Sequence, residues 1–243
     1  MLAHFTIRLL CGVALMLAAM PRRDVASAFF KIMLRLILGL AVLLALATDG
    51  PRLGPIVLAV LAFFGSALWT LELSRPGSAV IILLAGVSLE ELWRGTVLFR
   101  GTAATAPLAL HLAADLAGAA VLGATMTGML LGHRYLTAPG MPLAPLLRIN
   151  TLLGGAALLR AVLSAAVWFE AGATPVGETD WIWLGLRWTA GILGPAVACL
   201  MVWRILKYRN TQSATGVLFV GVIVAFIGEL AADLLYHDLH LPL

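Results

Sequence analysis

Residues 214–237 read ATGVLFVGVIVAFIGELAADLLYH, a stretch of 24 residues in which no charged side chain precedes Glu229. A helix of that length extends about 36 Å at roughly 1.5 Å per residue, enough to cross a hydrocarbon core of about 30 Å. Glu229, Asp233 and His237 follow one another at four-residue spacing, which places them on one helix face. The stretch therefore predicts a membrane span that carries a polar stripe.

The whole chain shares this apolar character. Of its 243 residues, 62% are hydrophobic and 12% are charged, and its mean hydropathy is +1.02. Soluble domains average about 25% charged residues, so this composition excludes a soluble domain, a disordered chain and a disulfide-rich secreted module. We assign the formal net charge of +4 to cytoplasmic loops and not to a nucleic-acid site.

Eight stretches are long and apolar enough to span a membrane. No segment between them could form a soluble domain, so residues 1–243 are expected to form one integral membrane domain, an all-α polytopic helix bundle. Pro21 and the charged residues after it are a poor signal-peptidase site, so we expect the first span to be uncleaved. The predicted spans are 2–20, 27–48, 53–73, 78–99, 108–135, 145–169, 181–205 and 214–237.

The basic residues of the loops predict the orientation, because Lys and Arg accumulate on the cytoplasmic side. Arg52 and Arg100 are the only two in the loops of one side, whereas nine belong to the other. Both termini are therefore expected to be non-cytoplasmic, in a multi-pass protein of the bacterial inner membrane. The nine are Arg22, Arg23, Lys31, Arg75, Arg134, Arg148, Arg204, Lys207 and Arg209.

Nine charged residues fall inside the spans in the halves near the predicted outer face, whereas the inner halves are almost free of charge apart from Lys31 and Arg35, which can snorkel toward the interface. Placing such a group at a helix centre costs about 2.5–3.5 kcal/mol, so the nine side chains must face one another or a wet cavity. Their signs nearly balance. They are Arg8, Arg94, Arg160 and Arg187 against Glu90, Glu91, Asp115, Glu229 and Asp233.

Two interpretations of these charges remain open. They could form a structural ion-pair network, in which Glu90 and Arg94 are a simple i,i+4 pair. They could instead line a site with protonatable walls for a quinone headgroup, a proton path or a transported anion. For the second interpretation we assign proton transfer to Glu229, Asp233 and Asp115, and headgroup binding to Arg160, Arg187, His111, Glu91 and Arg94.

Small residues predict close helix packing. Gly128 and Gly132 form a small-xxx-small pair in the fifth span, and Pro195 is expected to kink the seventh.

Other chemistry has little support in the residues. His4, His111 and His237 fall near the outer ends of different spans, so a bis-His haem is conceivable, although interfacial histidines explain them more simply. Cys11 and Cys199 form no CxxC pair, and no metal site is expected. The chain has no P-loop, GxSxG, HExxH or GxGxxG motif.

Two short stretches resemble a known family. Residues 132–136, Gly-His-Arg-Tyr-Leu, and the ending Gly228-Glu229-Leu230 to Leu235-Tyr236 are similar to motifs of the membrane anchor subunits of the dimethyl-sulfoxide reductase type, within the broader NrfD and polysulfide-reductase group. This resemblance implies eight helices, a quinol site near the outer face, usually no haem, and electron transfer to a partner iron–sulfur subunit. Residues 210–216 also resemble a segment of uncharacterised bacterial polytopic proteins.

The leading hypothesis is therefore a quinol-interacting membrane subunit of a bacterial redox complex, at most a non-catalytic or quinol-binding part of an oxidoreductase. Two alternatives remain. One is a small secondary transporter or channel that uses the same charges as its substrate path, and the other is a structural membrane scaffold without activity.

Overall fold

The computed structural model describes residues 1–100, 107–138, 140–171, 177–239 and 242. Within these ranges the secondary structure is helical and contains no strand. The elements are α1 (Leu2–Ala19), α2 (Ser27–Ala47), α3 (Leu53–Thr70), α4 (Ser74–Arg100), α5 (Leu108–Thr137), α6 (Ala144–Ala171), α7 (Glu178–Leu186), a π-helical segment (Arg187–Leu193), α8 (Gly194–Lys207) and α9 (Thr211–Leu239).

The predicted all-α bundle of eight spans is confirmed. Eight helical stretches are long and apolar enough to cross a membrane, and α7, the π-helical segment and α8 together make one of them, Thr179–Lys207. Large apolar side chains such as Phe63, Leu158 and Phe169 are exposed on its surface. Because water would solvate such a surface poorly, the chain is a multi-pass membrane protein whose surroundings are lipid.

The start of the fourth span differs most from the sequence-based prediction. The fourth span was expected to begin at residue 78, after the breaker Arg75-Pro76-Gly77, but α4 begins at Ser74. Pro76 then occupies the first turn of the helix, where a backbone N–H has no partner within the helix and its absence costs nothing. The reversal of the chain before it uses Glu72, whose φ is +58°.

The central helix of the bundle is α1. Of its most apolar window 72% is buried inside the protein, compared with 33% for α3. It packs against α2, α4 and α5, and it also reaches α9, where His4 contacts Asp233. The start of α1 and the end of α9 therefore lie at the same end of the bundle, which we call the outer end after the predicted orientation.

Two glycine crossings bring helices into backbone contact. Gly12 of α1 lies against Ala119 and Gly123 of α5, and Gly191 of the π-helical segment lies against Gly228 of α9. A Cβ at Gly12, Gly123 or Gly228 would overlap the backbone of the facing helix, and one at Gly191 would lie 3.0 Å from the Cα of Gly228. Gly128 and Gly132, the predicted small-xxx-small pair on α5, face side chains of α6 and α9 instead.

The seventh span contains a π-helical segment instead of a simple proline kink. The N–H of Gly194 donates to the carbonyl of Thr189, five residues back. Pro195 follows at the second position of α8, where it has no N–H to donate and its ring crowds the preceding turn. The wider π turn accommodates this and begins at Arg187, so it sets where that side chain projects.

Replacing Gly123 with Val is expected to destabilise the bundle, because the new side chain meets the backbone of α1 around Gly12. Overpacking costs about 1–3 kcal/mol where neighbouring side chains can move aside, and a helix backbone moves aside less readily than a side chain. Thermal unfolding of the purified protein in mild detergent should show a clearly lower midpoint for Gly123→Val.

Gly155→Val is the matched control, because Gly155 lies on α6 with nothing within 4 Å of its added Cβ. Equal midpoints for the two variants would contradict a tight α1–α5 crossing.

Candidate functional site

A buried carboxylate lies at the centre of the site. Glu229 of α9 is fully buried, and three equally inaccessible guanidinium groups surround it, from α1, α6 and the π-helical segment. Arg8 Nη1 and Arg187 Nη1 each donate to it at 2.8 Å, and Arg160 donates from Nε at 3.3 Å and from Nη2 at 3.2 Å. We call Glu229 and these three arginines the arginine cage.

Local sequence features make room for the cage. Gly118 of α5 faces it, and a Cβ there would lie 2.6 Å from Glu229 Oε2. The N–H groups of Arg160 also reach the α5 backbone, where Nη1 donates to the carbonyl of Ala114 at 2.9 Å. The cage therefore holds four transmembrane spans together and contacts a fifth.

A second group of side chains extends the network toward the outer end. Arg8 donates from Nη2 to Asp233 Oδ1 at 2.5 Å, one helical turn from the cage. The ring of His4 bridges two carboxylates, with Nδ1 3.3 Å from Asp233 Oδ1 and Nε2 3.0 Å from Asp115 Oδ2. All three residues of this outer cluster, His4, Asp115 and Asp233, are buried.

The charges of the buried network cancel when His4 is neutral, but the hydrogen bonds of the outer cluster then lack one proton. Three arginines and three ionised carboxylates cancel if His4 is neutral. A neutral imidazole has only one N–H, however, and a carboxylate only accepts hydrogen bonds. Because both ring nitrogens of His4 face carboxylate oxygens, both bonds form only when a proton is added to the ring or to a carboxylate.

Thr96 offers an alternative position for that proton. Its Oγ1 lies 2.6 Å from Asp115 Oδ2 and 2.9 Å from the carbonyl oxygen of Leu92, yet a hydroxyl has a single proton to donate. If Asp115 is protonated it can donate to Thr96, which then donates to Leu92. The outer cluster can therefore hold one added proton on His4 or on one of its two carboxylates, Asp115 and Asp233.

Two cavities of very different size adjoin His4. The smaller one has a volume of about 20 Å³ and is lined by Asp115, Asp233 and His111, among others. A water molecule needs roughly 10–15 Å³ by this measure, so this inner cavity has room for about one. The larger one, which we call the outer groove, has a volume of about 930 Å³.

The outer groove lies between the start of α1, the end of α2, the start of α3 and the second half of α4. Its polar groups include Glu91 and Arg94, and Trp93 forms part of its wall. His4 and Phe99 line both cavities, and their rings stack 3.9 Å apart and nearly parallel, at 3°. This stacked pair is the wall between the groove and the buried network.

The nine intramembrane charges thus divide into two sets. Six belong to the buried network: Arg8, Arg160, Arg187, Asp115, Glu229 and Asp233. The other three lie on α4, where Arg94 donates to Glu90 at 2.6 Å and to Glu91 at 3.3 Å.

The five residues assigned to the headgroup pocket lie in two places. Arg160 and Arg187 are buried in the cage, and Arg160 lines the inner cavity together with His111, whereas Glu91 and Arg94 line the outer groove. His237, the last member of the predicted stripe, is exposed, whereas Glu229 and Asp233 are buried.

His4, one of the histidines considered as haem ligands, lies between two carboxylates. Both of its ring nitrogens face carboxylates, so neither lone pair is directed at an open coordination position. Among the described residues, no group of three or more His, Cys, Asp or Glu side chains is arranged to hold a metal ion. The i,i+4 spacing of His4 and Arg8 was the sequence signal for their shared role.

Comparison with family models, with curated proteins and with solved structures finds no match to this chain. The interpretation of the site therefore depends on its own geometry.

Replacing Glu229 with Gln should destabilise the fold strongly, since it removes the anion shared by three buried guanidinium groups. Breaking a buried ion pair costs about 3–5 kcal/mol. Thermal unfolding in detergent should show a large loss. The control is Glu90→Gln, which breaks an exposed pair worth about 0–1 kcal/mol. A cage variant as stable as the control would show that the three arginines do not depend on Glu229.

Proposed function

We propose that this protein is a quinol-interacting membrane subunit of a bacterial redox complex in the inner membrane, which passes electrons to a partner iron–sulfur subunit. The observation that carries the proposal is the position of His4. Its ring forms the wall between a groove large enough for a quinone headgroup and a buried cluster that accommodates one added proton. The likeness of residues 132–136 and 228–236 to redox anchor subunits supports the same assignment.

The outer groove has the character of a headgroup site. Its volume falls within the roughly 300–1,000 Å³ of small-molecule pockets. Apolar side chains such as Ile7, Leu44 and Leu98 line it together with a few polar groups, which suits an aromatic headgroup with two oxygens. Arg94 can donate to one quinone oxygen, and the ring can pack against Trp93 or Phe99.

Oxidation of a quinol releases two electrons and two protons. The electrons leave to the iron–sulfur partner, and each proton requires a base near the hydroxyl that loses it. Glu91 in the groove can take one. His4 can take the other if its ring turns one nitrogen from a carboxylate toward the groove, and on turning back it passes the proton to Asp115 or Asp233, whose oxygens lie within 3.3 Å of its ring. In this mechanism Glu229 compensates the arginines, and Asp115 and Asp233 carry the proton.

Quinone binding is tested by titrating the purified protein with a short-chain benzoquinone, which quenches tryptophan fluorescence. We expect saturable quenching that Trp93→Phe reduces, because Trp93 lines the groove. Arg94→Gln should weaken binding about 10- to 100-fold, as expected for one hydrogen bond from a charged donor worth about 1.5–3 kcal/mol.

Arg204→Gln is the control for charge, since Arg204 is exposed at the opposite end of the bundle. Linear quenching without saturation, or equal weakening by both arginine variants, would count against a quinone in the groove.

The role of His4 is tested with the complex purified in mild detergent together with its copurifying subunits. His4→Gln keeps a polar side chain but cannot bind the added proton, so quinol-dependent reduction of the iron–sulfur partner should fall about 100-fold. Lys31→Gln is the control, because Lys31 is half-buried near the start of α2, far from the groove, and this variant should leave the rate unchanged. An unchanged rate in His4→Gln, with the complex intact, would favour the structural scaffold.

A further inference from the structure

Two buried polar atoms around the inner cavity have no hydrogen-bond partner among the described residues. They are Nε2 of His111 on α5 and Oδ2 of Asp233 on α9. Both residues are more than nine-tenths buried, and both line the cavity of about 20 Å³. A buried polar atom without a partner is costly, so the pair calls for a ligand that can serve both atoms.

The other nitrogen of His111 identifies what that ligand must donate. His111 Nδ1 lies 3.1 Å from the carbonyl oxygen of Pro107, which can only accept, so Nδ1 carries the proton. In a neutral imidazole Nε2 is then a bare acceptor. Asp233 Oδ2 is an acceptor as well when the carboxylate is ionised. A ligand between them must therefore have two protons to donate, which a water molecule does.

The surroundings of the cavity define the charges that this water would meet. Arg8 and Arg160 line it from α1 and α6, and Asp115 and His4 complete the charged wall. Tyr236 of α9 packs its ring edge-on against His111, with centroids 5.6 Å apart. The volume has room for about one water molecule.

We propose that a single water molecule bridges Asp233 Oδ2 and His111 Nε2, and that His111 is the proton acceptor through which the outer cluster releases its proton. A proton on Asp233 passes to the water as the water gives one of its own to Nε2, which makes His111 an imidazolium. The imidazolium then gives its Nδ1 proton to solvent water beside the exposed Pro107, which leaves His111 neutral with its remaining proton on Nε2. The source of the proton rests on the proposed function, whereas the water site rests on the cavity alone.

The experiment is solid-state NMR of the protein in lipid bilayers with ¹⁵N-labelled histidine rings, without quinone. Comparison with His111→Gln assigns the signals of this residue among the five histidines. We expect a protonated Nδ1, an unprotonated Nε2, and magnetisation transfer from water to Nε2. A protonated Nε2, or no transfer from water, overturns the proposal, and the spectrum of the wild-type protein is sufficient to show either result.

Ala232→Leu provides the matched variant, because Ala232 is buried and lines the inner cavity. The larger side chain should abolish the transfer from water and leave the Nδ1–H tautomer in place. Ala109→Leu, an exposed position on the same helix as His111, should retain the transfer. Transfer that persists in a folded Ala232→Leu protein overturns the bridging water. The quinone titration is independent, so failure of either experiment leaves the other interpretable.

Discussion

The charge of Glu229 has to be neutralised inside a bundle whose outside is lipid, and the rest of the structure is organised around that requirement. Three guanidinium groups from three different spans converge on the carboxylate, and each would itself be costly without it. The cage thus determines how α1, α6, α9 and the π-helical segment approach one another. Gly118 faces the cage where a side chain would collide, and the π turn begins at the arginine that the seventh span contributes.

Outside the cage, the network is balanced in charge but incomplete in hydrogen bonds. A histidine between two carboxylates completes both contacts only with an added proton, and that proton brings one uncompensated positive charge into the buried network. Without the added proton one hydrogen bond is missing, and with it one positive charge is uncompensated. A cluster in which neither state is fully satisfied is suited to take up and release a proton. A purely structural network would not need a titratable residue at this point, because an asparagine or glutamine could bond both carboxylates through its amide group without a charge.

The arrangement of the two cavities fits the direction of the proposed proton transfer. The outer groove meets the buried cluster at one stacked pair, His4 and Phe99, and the inner cavity lies on the other side of that pair. In the proposed mechanism a proton from a ligand in the groove reaches His4 before the carboxylates. The inner cavity, at about 20 Å³, has room for about one water molecule.

The amino-acid sequence by itself determined the class of this protein, its eight spans and the clustering of charges toward one end, because span length and hydropathy are local properties of the chain. It also placed Glu229 and Asp233 on one face of a helix, since helical periodicity is local too. Only the tertiary structure decided that six of the nine charges meet while Glu90, Glu91 and Arg94 stay on α4. The same holds for the bridging position of His4 and for Thr96 and Phe99, which no motif marks. These depend on which helices are neighbours and how closely glycine lets them approach, and such pairings are not encoded in the periodicity of any single span.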